Sequence, residues 1–382
     1  IVHYIVLAIP IIPLVIGIVN NRGLSSLGDS FQSSITDNVG KLVSVLIPAR
    51  NEEQNIGACI RHVLAQEHSN LEILVLDDNS VDNTGNIVSS FNDSRVRLIK
   101  GKPLPDGWTG KNWACHQLSE HAKGQLILFM DADTKLVNSS VLSNAVTHIE
   151  NKQVDLITLM PQRESGSLVE KFMYIFIDWI LFSMMPINIA HKSSNMYLSA
   201  TFGQFMLFRR NAFDQIGGYL EIFDNPLDDF TLGRLIKKMG LKWMLFNGTR
   251  SVKVQPYSGN VDAFKSISRS VFPAFNYSFF SFASFTLIVF LIGLFPVLVI
   301  LFGYSEIFFE SNLVFYAGIA YLMNLLSWLI VCLKFRHNLL FGFLNPIATF
   351  LMIIVAMHSI FSYCLKITTW KGRNIIGFKL RL

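Results

Sequence analysis

Between residues 41 and about 270, short apolar runs alternate with polar and amphipathic stretches: LVSVLI at 42–47, LEILVLDD at 71–78, VRLI at 96–99, LILFMDAD at 126–133 and VDLITLM at 154–160. Runs this short, separated by segments such as 53–66 with helical spacing, predict βαβ units and a mainly parallel sheet buried by helices on both faces. In open sheets of this kind ligands sit beyond the carboxyl ends of the strands. The polar residues that close each run are therefore where chemistry is sought.

The two ends of the chain follow another pattern. Residues 1–19 are apolar except for His3 and the interruptions at Pro10 and Pro13. They suit one membrane crossing and lack both the basic start and the cleavage site of a secretory signal, so an uncleaved anchor is expected. Residues 20–40, rich in Ser, Asn and Gly, read as a linker. Beyond residue 271, stretches 277–304 and 313–333 carry no charge, and neither does 338–365 apart from His358. Each can span about 30 Å of hydrocarbon. The expected organisation is an anchor at 1–19, a linker at 20–40, an α/β domain at 41–271, a membrane region of about three segments at 272–366 and a basic tail at 367–382.

Three full carboxyl-terminal crossings would put Lys366, Lys371, Arg373, Lys379 and Arg381 opposite the α/β domain, against the positive-inside rule. One stretch is therefore expected to be re-entrant or interfacial, and Pro346 and His358 point to the last. Residues 172–189, FMYIFIDWILFSMMPINI, are apolar yet contain Asp178 and Pro186. They suit an interfacial helix or a buried core helix. A full crossing would divide the flanking motifs between the two sides of the membrane.

Composition agrees with a membrane-attached globular domain. Of 382 residues, 51% are apolar and 15% charged, with a mean hydropathy of +0.41. The net charge of +5 is modest and lies partly beside apolar stretches, so no nucleic-acid partner is expected. Cys59, Cys115, Cys332 and Cys364 are far apart, without the spacing of a zinc site or a disulfide framework.

Four polar clusters are candidates for chemistry. Asp131 and Asp133 directly follow an apolar strand, and two carboxylates so spaced can face one divalent cation, leaving coordination positions for waters and phosphates. An acidic loop is the plain alternative. Pro48, Ala49, Arg50 and Glu52 follow the first run. Asp77 to Thr84 follow the second, where carboxylates can accept from a base N–H or from ribose hydroxyls, although Asp82 and Asn83 also suit a helix cap. The pair Asp228-Asp229 offers a carboxylate for general-base work, or an acidic first turn that answers the helix dipole.

Taken in order, I-P-A-R-N-E-E, V-L-D-D-N-S-V-D-N-T and F-M-D-A-D resemble the amino half of the family 2 glycosyltransferases with the GT-A fold. That resemblance implies an α/β, Rossmann-like catalytic domain with a nucleotide-sugar site. Pro48, Ala49, Arg50 and Glu52 would lie around the base, Asp78 on the base, and Asp131 and Asp133 on ribose and on Mg²⁺ or Mn²⁺. G-W-T-G-K-N-W-A-C-H-Q-L at 107–118 is similar to the donor-side loop of the hopanoid-associated and carotenoid (diaponeurosporenoate) group, with Lys111 near the diphosphate. The tail W-K-G-R at 370–373 resembles the same group. N-P-L-D-D-F-T-L resembles the family's E-D-x-x-L helix start, with Asp228 in place of Glu and Asp229 on the catalytic base.

The Q-x-x-R-W of polymer-threading synthases is absent, since 266–270 reads S-I-S-R-S, leaving Arg269 as a possible diphosphate contact. The implied protein is an inverting transferase of a bacterial inner membrane, with N-terminal and C-terminal transmembrane helices and a cytosolic catalytic domain. It would move a sugar from a nucleoside-diphosphate sugar, UDP being expected, to a lipid-like acceptor such as a carotenoid or hopanoid. The alternatives are a polyprenyl-phosphate glycosyltransferase and a catalytically silent scaffold that binds nucleotide-sugar.

Overall fold

The computed structural model describes residues 2–28, 40–255, 259–303, 311–370 and 373–374. Much of the expected linker (29–39) and of the basic tail (371–372 and 375–382) lies outside the described residues, as do 304–310 in the membrane region. The chain forms two compact units. One comprises Leu24–Glu164 and Ile189–Pro256; the other comprises Ile1–Gly23, Ser165–Asn188 and Tyr257–Leu382.

The first unit is an eight-stranded sheet with helices. Its strands are β1 (Val43–Ala49), β2 (Leu71–Asp77), β3 (Val96–Lys100), β4 (Leu126–Phe129), β5 (Thr134–Leu136), β6 (Leu156–Arg163), β7 (Met206–Arg209) and β8 (Trp243–Val254), in the order β3-β2-β1-β4-β7-β6-β8-β5. Each of the five apolar runs became a strand. The core is what their composition dictates: Val43, Val45, Ile47, Ile73, Val75, Leu126, Leu128 and Ile157 are at most 1% exposed. Burying each such side chain contributes roughly 1.5–3 kcal/mol. Helix Ile56–Leu64 covers one face with Ile56, Cys59, Ile60 and Val63, the spacing of a single helical stripe.

The sheet is mixed, with parallel pairings, that of β6 with β8 among them, in the majority. β3, β2, β1 and β4 are parallel neighbours, but β7 enters antiparallel between β4 and β6, and β5 pairs antiparallel with β8. A strand buried on both faces shows the same apolar run whichever way its neighbours point. Its direction is set by the connections, and β6 reaches β7 only through the long segment 164–205.

The second unit is helical. Asn312–Phe335 and Asn345–Cys364 are long and apolar enough to cross a membrane. Phe279–Gly293 and Phe295–Phe302 pass that test only as a pair, bent by 44° at Leu294. The first stretch is thus broken just before Pro296, and the last is interrupted as well, a short helix Leu339–Phe343 ending at Leu344 before Asn345–Cys364 begins. Pro346 stands at the start of its helix, where its missing N–H costs no hydrogen bond. At the other end, the helix Val2–Gly23 counts only as a short apolar helix, over Leu7–Gly23. It ends in polar Asn20, Asn21 and Arg22 rather than in further apolar length.

Of the two readings of 172–189, the buried one fits the helix Leu168–Met184. Asp178 pairs with His337 at 2.7 Å, and the Trp179 indole donates to Ser327 Oγ at 2.8 Å while stacking on Trp328. Asn20, fully buried, donates to the carbonyls of Phe182 and Met185 and so satisfies the carboxyl end of the same helix.

Candidate active site

The registers of β1 with β2 and β4 align Ala49 with Asp77 and Leu46 with Phe129, which brings three parallel strand ends level. Sheet hydrogen bonding continues one residue further, from Asp78 N to Ala49 O at 2.8 Å and from Met130 N to Leu46 O at 3.1 Å. The first two chains then turn sharply at Asn51 and Asn79, both with φ of 53°, a conformation that asparagine tolerates better than most residues.

The two turns are latched together. Asn51 N donates to Ser80 Oγ, Val81 N to Asn51 Oδ1, Glu52 N to Thr84 Oγ1 and Glu53 N to Asp82 Oδ2. Asp82 also accepts from Thr84 N, so its carboxylate is used in building the loop. Arg50 donates to the Asp78 carbonyl at 2.7 Å and lies 3.8 Å from the Asp78 carboxylate, which is buried. Pro48 and Ala49 close β1 beside them, with Ala49 buried.

Asp131 begins the loop after β4. Its Oδ1 is 2.9 Å from Lys111 Nζ, and its Oδ2 accepts from Gln204 Nε2 at 3.2 Å. Lys111 sits in the first turn of helix Gly110–His121, which Thr109 caps, and reaches Asp228 Oδ2 at 3.3 Å as well. Burial by itself would lower the Lys111 pKa; Asp131 and Asp228 outweigh it and hold the ammonium well above the usual lysine range. Asp228 is buried and accepts a second hydrogen bond from Tyr219 Oη.

Asp229 is the second residue of the helix Asp228–Lys238. Its Oδ2 accepts from Gly203 N at 3.1 Å and its Oδ1 from Phe230 N at 2.7 Å. Burial, then the adjacent Asp228 charge, push its pKa up to about 7 against the opposing pull of Lys111. Gly203 stands between these groups. A Cβ added there would lie 3.2 Å from Lys111 Nζ, 3.5 Å from Asp131 Oδ2 and 3.6 Å from Asp229 Oδ2.

Asp133 is the other carboxylate of the loop after β4. Its Oδ1 is sealed from solvent and has no hydrogen-bond partner. Burial, with the charges of Asp131 and Glu52, raises its pKa to about 7. A carboxylate costs free energy in such surroundings unless a cation or a proton offsets the charge. Among the described residues no group of three or more His, Cys, Asp or Glu is arranged to hold a metal by itself. Two protein carboxylates nonetheless suit a cation that takes its other ligands from phosphates and water.

Residues 44–217 match the sequence model described as Glycosyl transferase family 2. This segment belongs to that family. The family 2 segment contains the strand-end clusters, Lys111, Asp131, Asp133, Gly203 and Gln204, and it stops short of Asp228 and Asp229. The chain is 24% identical over 220 residues to a 4,4'-diaponeurosporenoate glycosyltransferase of Staphylococcus aureus (strain USA300), an alignment covering 57% of each. The enzyme of that name from Staphylococcus haemolyticus (strain JCSC1435) is 24% identical over 239 residues, or 62% of each. The chain thus spans about three-fifths of the length of these curated relatives. Among solved structures it is similar to a mannosyltransferase, PcManGT of Pyrobaculum calidifontis, in complex with GDP-Man and Mn²⁺. That match has a TM-score of 0.55 at 16% identity and covers 94% of this chain and 99% of that one, a likeness of fold.

Several residues of the site are invisible to linear reading. Gly203 and Gln204 lie in an uncharged stretch, SATFGQF, with no motif to single them out. Tyr219 reads as core. Asn112 reads as a surface helix residue, yet it is buried and donates to the carbonyls of Ile222 and Asn225 at 2.6 and 2.9 Å, tying the Lys111 helix to the segment that leads into Asp228. Arg269 belongs to the helical unit, in helix Asn260–Ala274, where its carbonyl accepts from Tyr363 Oη at 2.8 Å.

Proposed function

We propose that the α/β unit is an inverting, metal-dependent glycosyltransferase that moves a sugar from a nucleoside-diphosphate sugar to a lipid-like membrane acceptor such as a carotenoid or hopanoid. The observation that carries this reading is the meeting of Asp131, Lys111 and Asp229 around the bare backbone of Gly203. A donor-side carboxylate and a carboxylate with the pKa of a working base thus face the same small space.

In this reading Pro48, Ala49, Arg50, Glu52 and Asp78 form the nucleoside side, with Arg50 steadying Asp78. Asp131 and Asp133 would hold Mg²⁺ or Mn²⁺, which would supply Lewis-acid stabilisation of the departing diphosphate. Lys111, already between Asp131 and Asp228, contributes a fixed positive charge on that side. Asp229 accepts the proton of the acceptor hydroxyl as its oxygen attacks the anomeric carbon. Its two backbone N–H contacts fix the orientation of the carboxylate.

The test is incubation of membranes containing the protein with labelled UDP- and GDP-sugars, followed by mass spectrometry of lipids from cells with and without it. A new neutral glycolipid is expected. An acid-labile sugar phosphate would make the acceptor a polyprenyl phosphate, and nucleotide binding without transfer or donor hydrolysis would make the protein a scaffold.

The membrane arrangement proposed with this function has the bent pair Phe279–Gly293/Phe295–Phe302 as one broken span, Asn312–Phe335 as the second, and the last stretch, broken at Leu344 between Leu339–Phe343 and Asn345–Cys364, as a re-entrant segment, so that Lys334, whose Nζ donates to the Asn21 carbonyl at 3.0 Å, stays with Arg336 and His337 on the cytosolic side. The α/β unit and the basic tail then share the cytosolic side, as the positive-inside rule favours. A tag after Leu382 is expected to resist protease added to intact cells. Cleavage of the tag from outside would refute the arrangement.

A further inference from the structure

We infer that Gly203 and Gln204 act as a positioning bracket for the reacting atoms, and that the missing side chain at 203 leaves the space in which sugar and acceptor meet. The inference rests on the transferase reading above and adds two residues that carry no chemistry of their own.

Three observations converge on it. The Gly203 N–H holds Asp229 Oδ2 at 3.1 Å, whereas the adjacent Gln204 side-chain amide holds Asp131 Oδ2 at 3.2 Å. Two consecutive residues therefore fix the two carboxylates that the reaction assigns to opposite partners, one on the donor and one on the acceptor. The third observation is steric. A methyl group at 203 would stand 3.2–3.6 Å from Lys111 Nζ, Asp131 Oδ2 and Asp229 Oδ2 at once, in contact with all three groups and in the gap they enclose.

Backbone freedom does not explain the glycine. Among the described glycines with positive φ are Gly107, Gly217, Gly218, Gly240 and Gly259, and Gly203 is not one of them. An alanine there is free of backbone strain, and the nearest atom it meets is the end of a flexible lysine. The requirement at 203 is for empty space at the centre of the site. Such space costs packing unless it is filled by something else, and in this site the fillers are the substrates.

The bracket also explains how Asp131 can serve two partners. Gln204 holds one oxygen and Lys111 the other, so the carboxylate plane is set before any cation arrives. Pre-set ligands bind a cation with less ordering to do.

The measurements are melting temperature, affinity for UDP or GDP with Mn²⁺ by calorimetry, and steady-state transfer, made on full-length protein in detergent. Gly203→Ala is expected to keep the wild-type melting temperature and to bind nucleoside diphosphate within about threefold of wild type, because the nucleoside and metal ligands are unchanged. Its kcat is expected to fall about 10²-fold, the size of effect that displacing reacting groups by an ångström produces. Gln204→Ala is expected to raise the Mn²⁺ concentration for half-maximal activity about tenfold, with the melting temperature again unchanged. That metal dependence is a readout a purely structural role would not move, and it keeps the test alive if Gly203→Ala does not fold. Wild-type kcat in Gly203→Ala together with an unshifted Mn²⁺ requirement in Gln204→Ala would overturn the bracket while leaving the transferase reading intact. A wild-type protein that binds no nucleoside diphosphate would overturn both.

Discussion

Asp229→Asn is expected to lower kcat by at least about 10²-fold with donor affinity nearly unchanged, the loss typical of removing a general base. Asparagine keeps the size of the side chain and one oxygen to accept from Gly203 N or Phe230 N, but it cannot take a proton. With a pKa raised to about 7, Asp229 is protonated over part of the ordinary working range. Activity should therefore fall as pH drops through about 7, and the Asn variant should lack that limb.

The same substitution has a stability signature of opposite sense. The folded pKa of Asp229 lies above the ordinary aspartate value of 3.8, so the fold prefers the neutral acid. Stability from this group is complete below pH 3.8 and is lost as pH rises towards about 7. Asp229→Asn should thus raise the melting temperature of the ligand-free protein more at pH 8 than at pH 5. Asp228→Asn should be milder in kcat if Asp228 only anchors Lys111 and Tyr219; the reverse ranking would move the base by one residue. Normal turnover in both variants would remove the single-base mechanism, or mark an acceptor that is already ionised.

Asp133→Ala is expected to weaken Mn²⁺-dependent binding of nucleoside diphosphate by about 10²-fold or more, since even changes one shell out from a metal cost 10–100-fold. The fold should tolerate it. Removing a carboxylate whose buried Oδ1 has no partner relieves a desolvation penalty, so the melting temperature of the metal-free variant should not fall. Calorimetry with and without Mn²⁺ decides the point: wild-type protein that binds nucleoside diphosphate equally in both conditions would defeat the metal assignment.

Asp131, Asp133, Asp78 and Arg50 stand out in the sequence because each lies within a few residues of the end of an apolar strand, and a strand is a local pattern. Once β1, β2 and β4 are parallel neighbours, their ends must lie side by side, so three separated motifs become one rim without further information. Lys111 is a related case. Its helix start was legible, but that it would bridge Asp131 and Asp228 was not, because Asp228 arrives through chain more than a hundred residues away.

The amino-acid sequence by itself determined the strands, the order of the acidic clusters and the gathering of apolar length at the ends of the chain, all of which are read over windows of a few residues. Tertiary structure decided the rest. The antiparallel entry of β7 depends on where a long connection returns, and the burial of helix Leu168–Met184 on partners such as Ser327 and His337, distant in the chain. An apolar helix has the same composition whether protein or lipid covers it. Gly203 is the extreme case: its significance is the absence of atoms between three charged groups, and empty space leaves no signal in a sequence until the groups that bound it have been brought together.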